Sequence, residues 1–419
     1  MKGFLSLICS ICLIGCSYES NEFKILQPKS DSPNFFEFNE FQIRQKVLYV
    51  PATTGTVKWG YLPNGTDTPV ASMEAGSYLV VDALSHEGIL EDQGRDPLKY
   101  FSGFGVHKED VLNDAVSIAR SKINHDFHKD GPHVVIGPIE IKNTEPGDIL
   151  KIDIIDIVPR VPYGVISNRH GKGALPGEFP LGPKPDPTVK NDFKNVSIFS
   201  QTFVKDNQIG AYIDDSSGKR ISFEAKPFMG IIGVAKDTTS SVHSVPPGKH
   251  GGNLDINELV AGSTLYIPVQ VPGAMFYTGD PHLAQGDGEV ALTALEQSLR
   301  ALFRINVIKK DSDFVLARMR IDSPFAENEK YWIPIGLNED LDIAMKNSVR
   351  QGINFLSLKY GIQKQTALAY MSAATTFEVS QVVDKTKGIH GLIRKKDFIF
   401  PNEFPKGCIR MLKAQRQTA

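Results

Sequence analysis

Side chains able to do chemistry concentrate in two short glycine-rich runs. Residues 246–255 read PPGKHGGNLD, and residues 279–289 read GDPHLAQGDGE. Together they supply His250, Asn253, Asp255, Asp280, His282, Gln285, Asp287 and Glu289, with six glycines among them. Glycine lets the backbone turn tightly and present its amides. Asp280 and His282 are two apart, so in an extended segment both point to one face. A carboxylate and an imidazole on one face suit a divalent cation such as zinc, and Asp255 or Glu289 adds oxygen ligands. An open position on such a cation lowers the pKa of a bound water and polarises a carbonyl. That chemistry is hydrolysis of an ester or amide without a protein nucleophile. The same residue types also build ordinary turns, so composition leaves a plain loop reading open beside the metal site.

Other hydrolytic and nucleotide chemistries find no support. The chain has no G-x-S-x-G, no G-x-x-x-x-G-K-[ST], no G-x-G-x-x-G after a strand and no H-E-x-x-H. Of its cysteines, Cys9, Cys12 and Cys16 sit at the extreme N-terminus and Cys408 in a basic tail. A thiolate nucleophile needs a positioned partner base, so a cysteine hydrolase is disfavoured.

The elements that must position these runs read as mostly strands. Segments 76–84, 148–158, 262–271 and 304–309 are short, rich in Val, Ile and Tyr, and bounded by Gly or Pro. In 149–158 alternation sets Ile152, Ile154 and Asp156 on one face and Asp153, Ile155 and Ile157 on the other. Residues 110–123, 338–352 and 364–374 carry helical spacing or Ala-rich composition. Segment 289–303 is ambiguous: propensity favours helix, while its flanking glycines allow a strand. Strands in the middle and helices late favour an α+β, β-rich class.

Composition bounds the rest. The chain has 419 residues, 46 Lys+Arg against 48 Asp+Glu, and a net charge of −2. That balance excludes a disordered polyelectrolyte and gives no support for nucleic-acid binding. The 36 Gly and 26 Pro, about 15% of residues, exceed the usual ~12% and point to many turns. Residues 1–16 read MKGFLSLICSICLIGC: one positive charge, then an apolar run too short to span a bilayer. The ending Leu13-Ile14-Gly15-Cys16 resembles a bacterial lipobox, which implies a signal peptide over 1–15 and lipidation at Cys16. The expected product is an exported lipoprotein, held in the outer membrane and facing the periplasm, with a polar tether over 16–45. Cys408 would be left alone, without an internal disulfide.

Residues 246–290, PPGKHGGNLDINELVAGSTLYIPVQVPGAMFYTGDPHLAQGDGEV, resemble the core signature of the acetamidase/formamidase family. The likeness extends to HVVIGPIEIKNTEPGDILKIDIIDI at 133–157, PFMGIIGVA at 227–235 and SQVVDKTKGIHGLI at 380–393. It covers roughly 46–400, leaving 401–419 as a tail. The resemblance implies a β-sandwich or barrel body with peripheral helices, often dimeric, that cleaves small linear amides to a carboxylate and ammonia. It also implies a divalent metal, zinc in the first place, with calcium as the alternative. Carried over residue by residue, Asp255, Asp280 and His282 are the expected metal ligands. Glu289 is the expected general base. Asn253 and the amides of Gly251 and Gly252 are expected to donate to the oxyanion. Asp82 falls where the family keeps an acidic residue near the site, and Gln285 is expected to contact substrate.

Two segments depart from the family pattern. Residues 82–105 (DALSHEGILEDQGRDPLKYFSGFG) and 168–178 (NRHGKGALPGE) bring His86, Glu87, Glu91, Asp92, Arg95, His170 and Lys172. They read either as a subfamily-specific substrate pocket, with His86 among its contacts, or as decorated loops that meet a partner subunit. Two non-enzymatic classes stay open beside the hydrolase: an exported ligand-binding lipoprotein and an envelope scaffold on an inactive amidase-like fold.

Overall fold

The expected strands form two large sheets. The computed structural model describes residues 23–28, 47–206 and 208–398. One sheet has nine strands. Val47–Val50 forms one edge beside Tyr78–Ala83, and Leu299–Ile308 follows, flanked by Tyr78–Ala83 and Ile149–Pro159. From there it runs through Thr264–Pro268, Phe325–Glu327 and Tyr331–Asn338 to Lys387–Arg394 and Thr376–Gln381. The second sheet has Phe276–Ala284 at its heart, paired antiparallel with Phe228–Val234 and with Val134–Ile141. Gly251–Asn253 adds to the outer side of Phe228–Val234. Apolar faces of both sheets share one core, which holds Ile152, Ile154 and Phe303 from the first and Ile136, Ile232 and Phe276 from the second. Phe276 meets Phe303 edge-on across it at 5.9 Å. Each such buried side chain contributes about 1.5–3 kcal/mol.

Helices lie at one end. Leu341–Tyr360 and Lys364–Ala374 cover the strands near the nine-stranded sheet's edge, where Phe325, Phe355, Leu356, Met371 and Ile393 form a smaller core. Asp340 caps the longer helix by accepting from the Ile343 amide, and Gly361 ends it at φ 68°. The helix expected over 338–352 therefore runs one more stretch, because Phe355 and Leu356 continue its buried stripe. The one expected over 110–123 is shorter. Val111 and Leu112 are extended and buried, and only Asn113–Ala119 is α-helical.

One strand expectation needs correction. Alternation over 149–158 is interrupted at Ile155, where a bulge pairs Leu302 with Asp156 and Phe303 with Ile154. The buried phase then switches, so Ile157 faces the core while Ile155 is 37% exposed. Segment 289–303, open between helix and strand, is turn and loop over 289–294 and strand over Leu295–Glu296 and from Leu299 on, in Leu299–Ile308.

Residues 23–28, expected within the polar tether, are docked. The Leu26 amide donates to the Arg160 carbonyl at 2.8 Å, and the Arg160 Nε donates back to the Leu26 carbonyl at 3.0 Å. The signal peptide, Cys16, the rest of the tether and the tail with Cys408 lie outside the described residues. Among the described residues no helix is long and apolar enough to cross a membrane.

Candidate active site

Sheet geometry brings the two glycine-rich runs together. Phe276–Ala284 carries Asp280 and His282, and Phe228 pairs opposite His282 while Ile231 pairs opposite Gly279. Gly230 thus faces Asp280. The carbonyl of Gly230 accepts from the amides of Leu254 and Asp255, which pins the end of the first run beside the second. Asp255, Asp280 and Glu289 all adopt left-handed backbone, at φ 49°, 53° and 48°. Such conformations cost on the order of 1–3 kcal/mol each and cluster where a site requires them. Gly230 has no side chain to intrude. A Cβ there would lie 2.5 Å from Asp255 Oδ1 and 2.7 Å from Asp280 Oδ2.

Three of the expected residues meet as expected in space. Donor atoms of Asp255, Asp280 and His282 lie within 4.8 Å of one another. The structure adds residues the sequence did not single out. His133 with His86 and Asp280, Glu296 with His282 and Glu289, and Asp384 with Asp255 and Glu289 form groups of the same closeness. All of these residues are buried. His282 Nε2 is 3.1 Å from Asp280 Oδ2 and 3.1 Å from Glu296 Oε1.

Gln285 fixes the orientation of His282. Its Nε2 donates to the carbonyls of Asp255 (2.9 Å) and Ser380 (3.1 Å), so its Oε1 faces His282 Nδ1 at 3.0 Å. Nδ1 must then carry the hydrogen, and Nε2 is turned to the carboxylates. Gln285, expected at the substrate, is engaged by His282 and two backbone carbonyls and does not line the neighbouring cavity. His133 is held likewise, with Nδ1 on Ser244 Oγ at 2.9 Å.

The cluster lacks internal compensation. Burial pushes Asp255, Glu289 and Glu296 upward, Asp255 and Glu289 well above the ordinary carboxylate range, and neighbouring carboxylates add to the shift. Burial carries Asp384 to about 7. Burial also opposes the charge on Asp280, yet His133 and His282 hold its carboxyl well below the usual range. Desolvation opposes the charge on His86, but Glu296, Asp280 and Glu87 outweigh it and push the imidazole up to about 10. His282 is raised for the same reason by Glu296 and Asp280. His133 goes the other way, to about 3, because its burial exceeds the pull of Asp280. Adjacent carboxylates cannot all ionise without positive charge among them. A proton on His282 Nε2 and a cation beside it are alternative answers to that need, and binding the one releases the other.

A divalent cation fits this donor set. Both oxygens of Asp255, Oδ1 of Asp280, Nε2 of His282, Oε2 of Glu296, Oδ2 of Asp384 and both ring nitrogens of His86 are buried without a hydrogen-bond partner. Unpartnered buried polar atoms in such number are rare and costly. Here they fall into overlapping groups that share Asp255, Asp280, His282 and Glu289, and Gly230 places no side chain between Asp255 and Asp280.

The cluster forms the floor of a cavity of about 500 Å³, whose wall includes Asn253, Asp280, Glu289, Glu296 and Asp384. Asn253 is 2% exposed and its Oδ1 has no partner. Gly251 and Gly252 serve differently from expectation. The Gly251 amide donates to the Gly248 carbonyl, and both glycines belong to the short strand that backs Asn253. Neither lines the cavity. Asp82 stands apart from the cluster. Its carboxylate is bound by Arg300 (2.5 and 2.8 Å) and Tyr49 (2.6 Å), with Arg160 at 3.7 Å. The structure therefore engages Asp82 in a buried ion-pair network of the nine-stranded sheet.

The two departing segments meet each other at the cavity wall. Arg169 joins them, donating to Glu87 at 2.9 Å and to Asp92 at 2.8 Å. His86, Arg169 and Lys172 then face the cavity.

Comparison with known proteins relates the chain to amidases. A model of the Acetamidase/Formamidase family matches residues 233–393. A putative formamidase of Schizosaccharomyces pombe is 27% identical over 249 residues, covering 50% of this chain and 58% of that protein. An acetamidase of Mycolicibacterium smegmatis is 28% identical over 207 residues, covering 38% and 49%. The chain thus spans about half the length of these curated relatives. Among solved structures, an acetamidase from Yersinia enterocolitica superposes with a TM-score of 0.64 at 22% identity, covering 85% of this chain and 94% of that one. An acetamidase from Bacillus halodurans gives 0.61 at 22% identity, covering 83% and 98%. These two share the fold.

Proposed function

We propose that the chain is a member of the acetamidase/formamidase family, which its similarity over residues 233–393 and to curated relatives supports, and that it hydrolyses small linear amides, R–CO–NH2 plus water giving a carboxylate and ammonium. One observation carries the proposal: the buried donors of Asp255, Asp280 and His282, within 4.8 Å of one another and with atoms left unpartnered, beside a cavity that Asp280 lines. Imidazole nitrogen beside carboxylate oxygen suits zinc, whereas calcium takes oxygen ligands alone, so zinc is the proposed ion. When bound there, it supplies Lewis acidity towards the amide carbonyl.

The protein's own residues do the rest. Glu289 is the general base: it is buried, lines the cavity, and burial and Asp384 raise its carboxyl, which makes its ionised form a stronger proton acceptor than an exposed carboxylate. It takes a proton from the attacking water and returns it to the leaving nitrogen. Asn253 faces the same space, and its side-chain amide donates to the tetrahedral oxyanion. Such a donor contributes about 2.7–4 kcal/mol in comparable sites. With the Gly251 amide committed to Gly248, that duty falls on Asn253. His282 is held by Gln285, and His133 by Ser244, so ligand positions are set before substrate arrives.

An intact donor set favours catalysis over the binding-protein and scaffold alternatives. Ammonia release from a panel of short amides tests it. Turnover should be lost to a chelator and restored by zinc; tight amide binding without turnover would contradict the proposal. Export as a lipoprotein is likewise proposed from Leu13-Ile14-Gly15-Cys16. Cys16→Ala should move the protein out of the membrane fraction, and unchanged membrane association would refute it. A homodimer is proposed from the family resemblance, and a monomeric mass in solution would exclude it.

A further inference from the structure

The floor of the cavity is acidic, but its mouth carries unpaired positive charge. Lys172 and Lys385 both line it. Lys172 comes from the turn after the strand Tyr163–Asn168, and Lys385 from the hairpin between Thr376–Gln381 and Lys387–Arg394. The other fixed cations of the wall have counter-ions: Arg169 holds Glu87 and Asp92, and Lys129 holds Asp126 at 3.0 Å. Among the described residues, Lys172 and Lys385 have no carboxylate within 4.0 Å. They are nonetheless close enough to feel each other. Lys172 is pulled downward by desolvation in the cavity wall and then by Arg169 and Lys385, while Asp92 and Asp384 act in the opposite sense. His243, on the same wall, is pulled downward by burial and then by Lys385 and Lys172. Lys385 is fixed in left-handed backbone at φ 64°.

Two ammonium groups on one cavity wall, neither in direct ion-pair contact, favour an anion placed between them. The volume agrees. About 500 Å³ suits a ligand of many more atoms than formamide or acetamide. Lys172 also belongs to one of the two segments that depart from the family pattern, so this charge accompanies the chain's own pocket.

We propose, resting on the amide-hydrolase reading above, that the substrate is a linear amide with an anionic far end, whose anion sits between Lys172 and Lys385 while its carboxamide lies on the Asp255–Asp280–His282 floor. The reaction is unchanged in balance: the C–N bond breaks, water supplies the new C–O bond, and a half-amide yields a dicarboxylate and ammonium.

The test compares isosteric pairs on the full, metal-loaded protein: succinamate against succinamide, and glutaramate against glutaramide. The half-amides should show kcat/KM about 10-fold or more above the diamides. Lys172→Gln with Lys385→Gln should shrink that ratio about 10-fold or more, chiefly through KM, while Lys→Arg at both positions keeps it. Both lysines are exposed, so the substitutions leave the core untouched. A wild-type preference for the diamides, or a ratio unmoved by the double Gln variant, would overturn the proposal. If no amide releases ammonia, the hydrolase reading fails by itself, and calorimetry with succinamate then decides the anion pocket. Binding that weakens with salt and disappears in the double Gln variant would sustain the pocket; absence of binding would end it.

Discussion

Replacing Gly230 by alanine puts one methyl group into the middle of the proposed metal centre. The added carbon would stand 2.5 Å from Asp255 Oδ1, 2.7 Å from Asp280 Oδ2 and 2.8 Å from His282 Cε1. Ordinary non-bonded contact begins near 3.5 Å, so each carboxylate must retreat by roughly 0.7–1 Å. Metal sites tolerate ligand displacements of only about 0.2 Å. Even a change one shell further out costs about 10–100-fold in metal affinity, so a displacement of two ligands at once should cost at least ~100-fold. The fold should survive. Overpacking of this kind costs about 1–3 kcal/mol, partly offset by about 0.4–1 kcal/mol gained from a stiffer unfolded chain. The assays are zinc content after gel filtration, ammonia release and thermal unfolding. Gly230→Ala should unfold cooperatively within several degrees of wild type, with zinc and turnover both reduced by at least ~100-fold. A variant that keeps stoichiometric zinc and wild-type turnover would refute this role for Gly230.

Four further outcomes are expected. Glu289→Gln should keep metal and fold but lower kcat by about 10²–10⁴-fold, and normal turnover would remove Glu289 as the base. Gln285→Leu should weaken zinc binding by about 10–100-fold, measured by competition with a chelator, because His282 loses the acceptor that sets its tautomer. Arg169→Leu strands the buried carboxylates of Glu87 and Asp92 and should destabilise by about 3–5 kcal/mol in urea unfolding; a loss under 1 kcal/mol would show that the two loops do not depend on it. Asp148 gives a pH signature. Burial opposes its charge, but Lys309 and the amides of Glu145 and Lys310 hold its carboxyl below the ordinary value. Its stabilisation is therefore complete above the unfolded-state pKa and fades as pH falls through the lower folded value. Asp148→Asn should make the acid limb of stability shallower below about pH 4, and an unchanged limb would contradict the assignment.

Local pattern made some of this molecule readable and left other parts opaque. Strands such as Tyr78–Ala83 and Thr264–Pro268 announce themselves through β-branched runs between glycines and prolines. Leu299–Ile308 does not, because it pairs on both sides and Leu299–Phe303 are all buried, leaving no period to detect. The bulge at Ile155 was equally silent, since one extra residue changes the facing of a strand without changing its composition. At the site, Asp280 and His282 lie in one strand and Asp255 ends a neighbouring glycine-rich run, so the motif names them. Glu296, Asp384 and His133 arrive from segments far apart in sequence, as does His86, which the sequence placed at the substrate, and only the folded sheets bring them together. Asp384 and His133 lay within quoted family blocks, a signal that could have raised them. Gly230 sits in the third such block, where a glycine without left-handed backbone gives no sign of its role. Asp82 illustrates the reverse error: an acidic residue at a suggestive position, whose partner Arg300 is 218 residues away.

Metal content and metal position test the central claim most directly. Anomalous diffraction at the zinc edge, on crystals of the protein as purified, should show a peak within about 2–2.6 Å of Asp255, Asp280 and His282 donor atoms. The same preparation should release ammonia from a small amide in proportion to its zinc. A peak elsewhere, or full turnover by protein stripped of metal, would contradict the account.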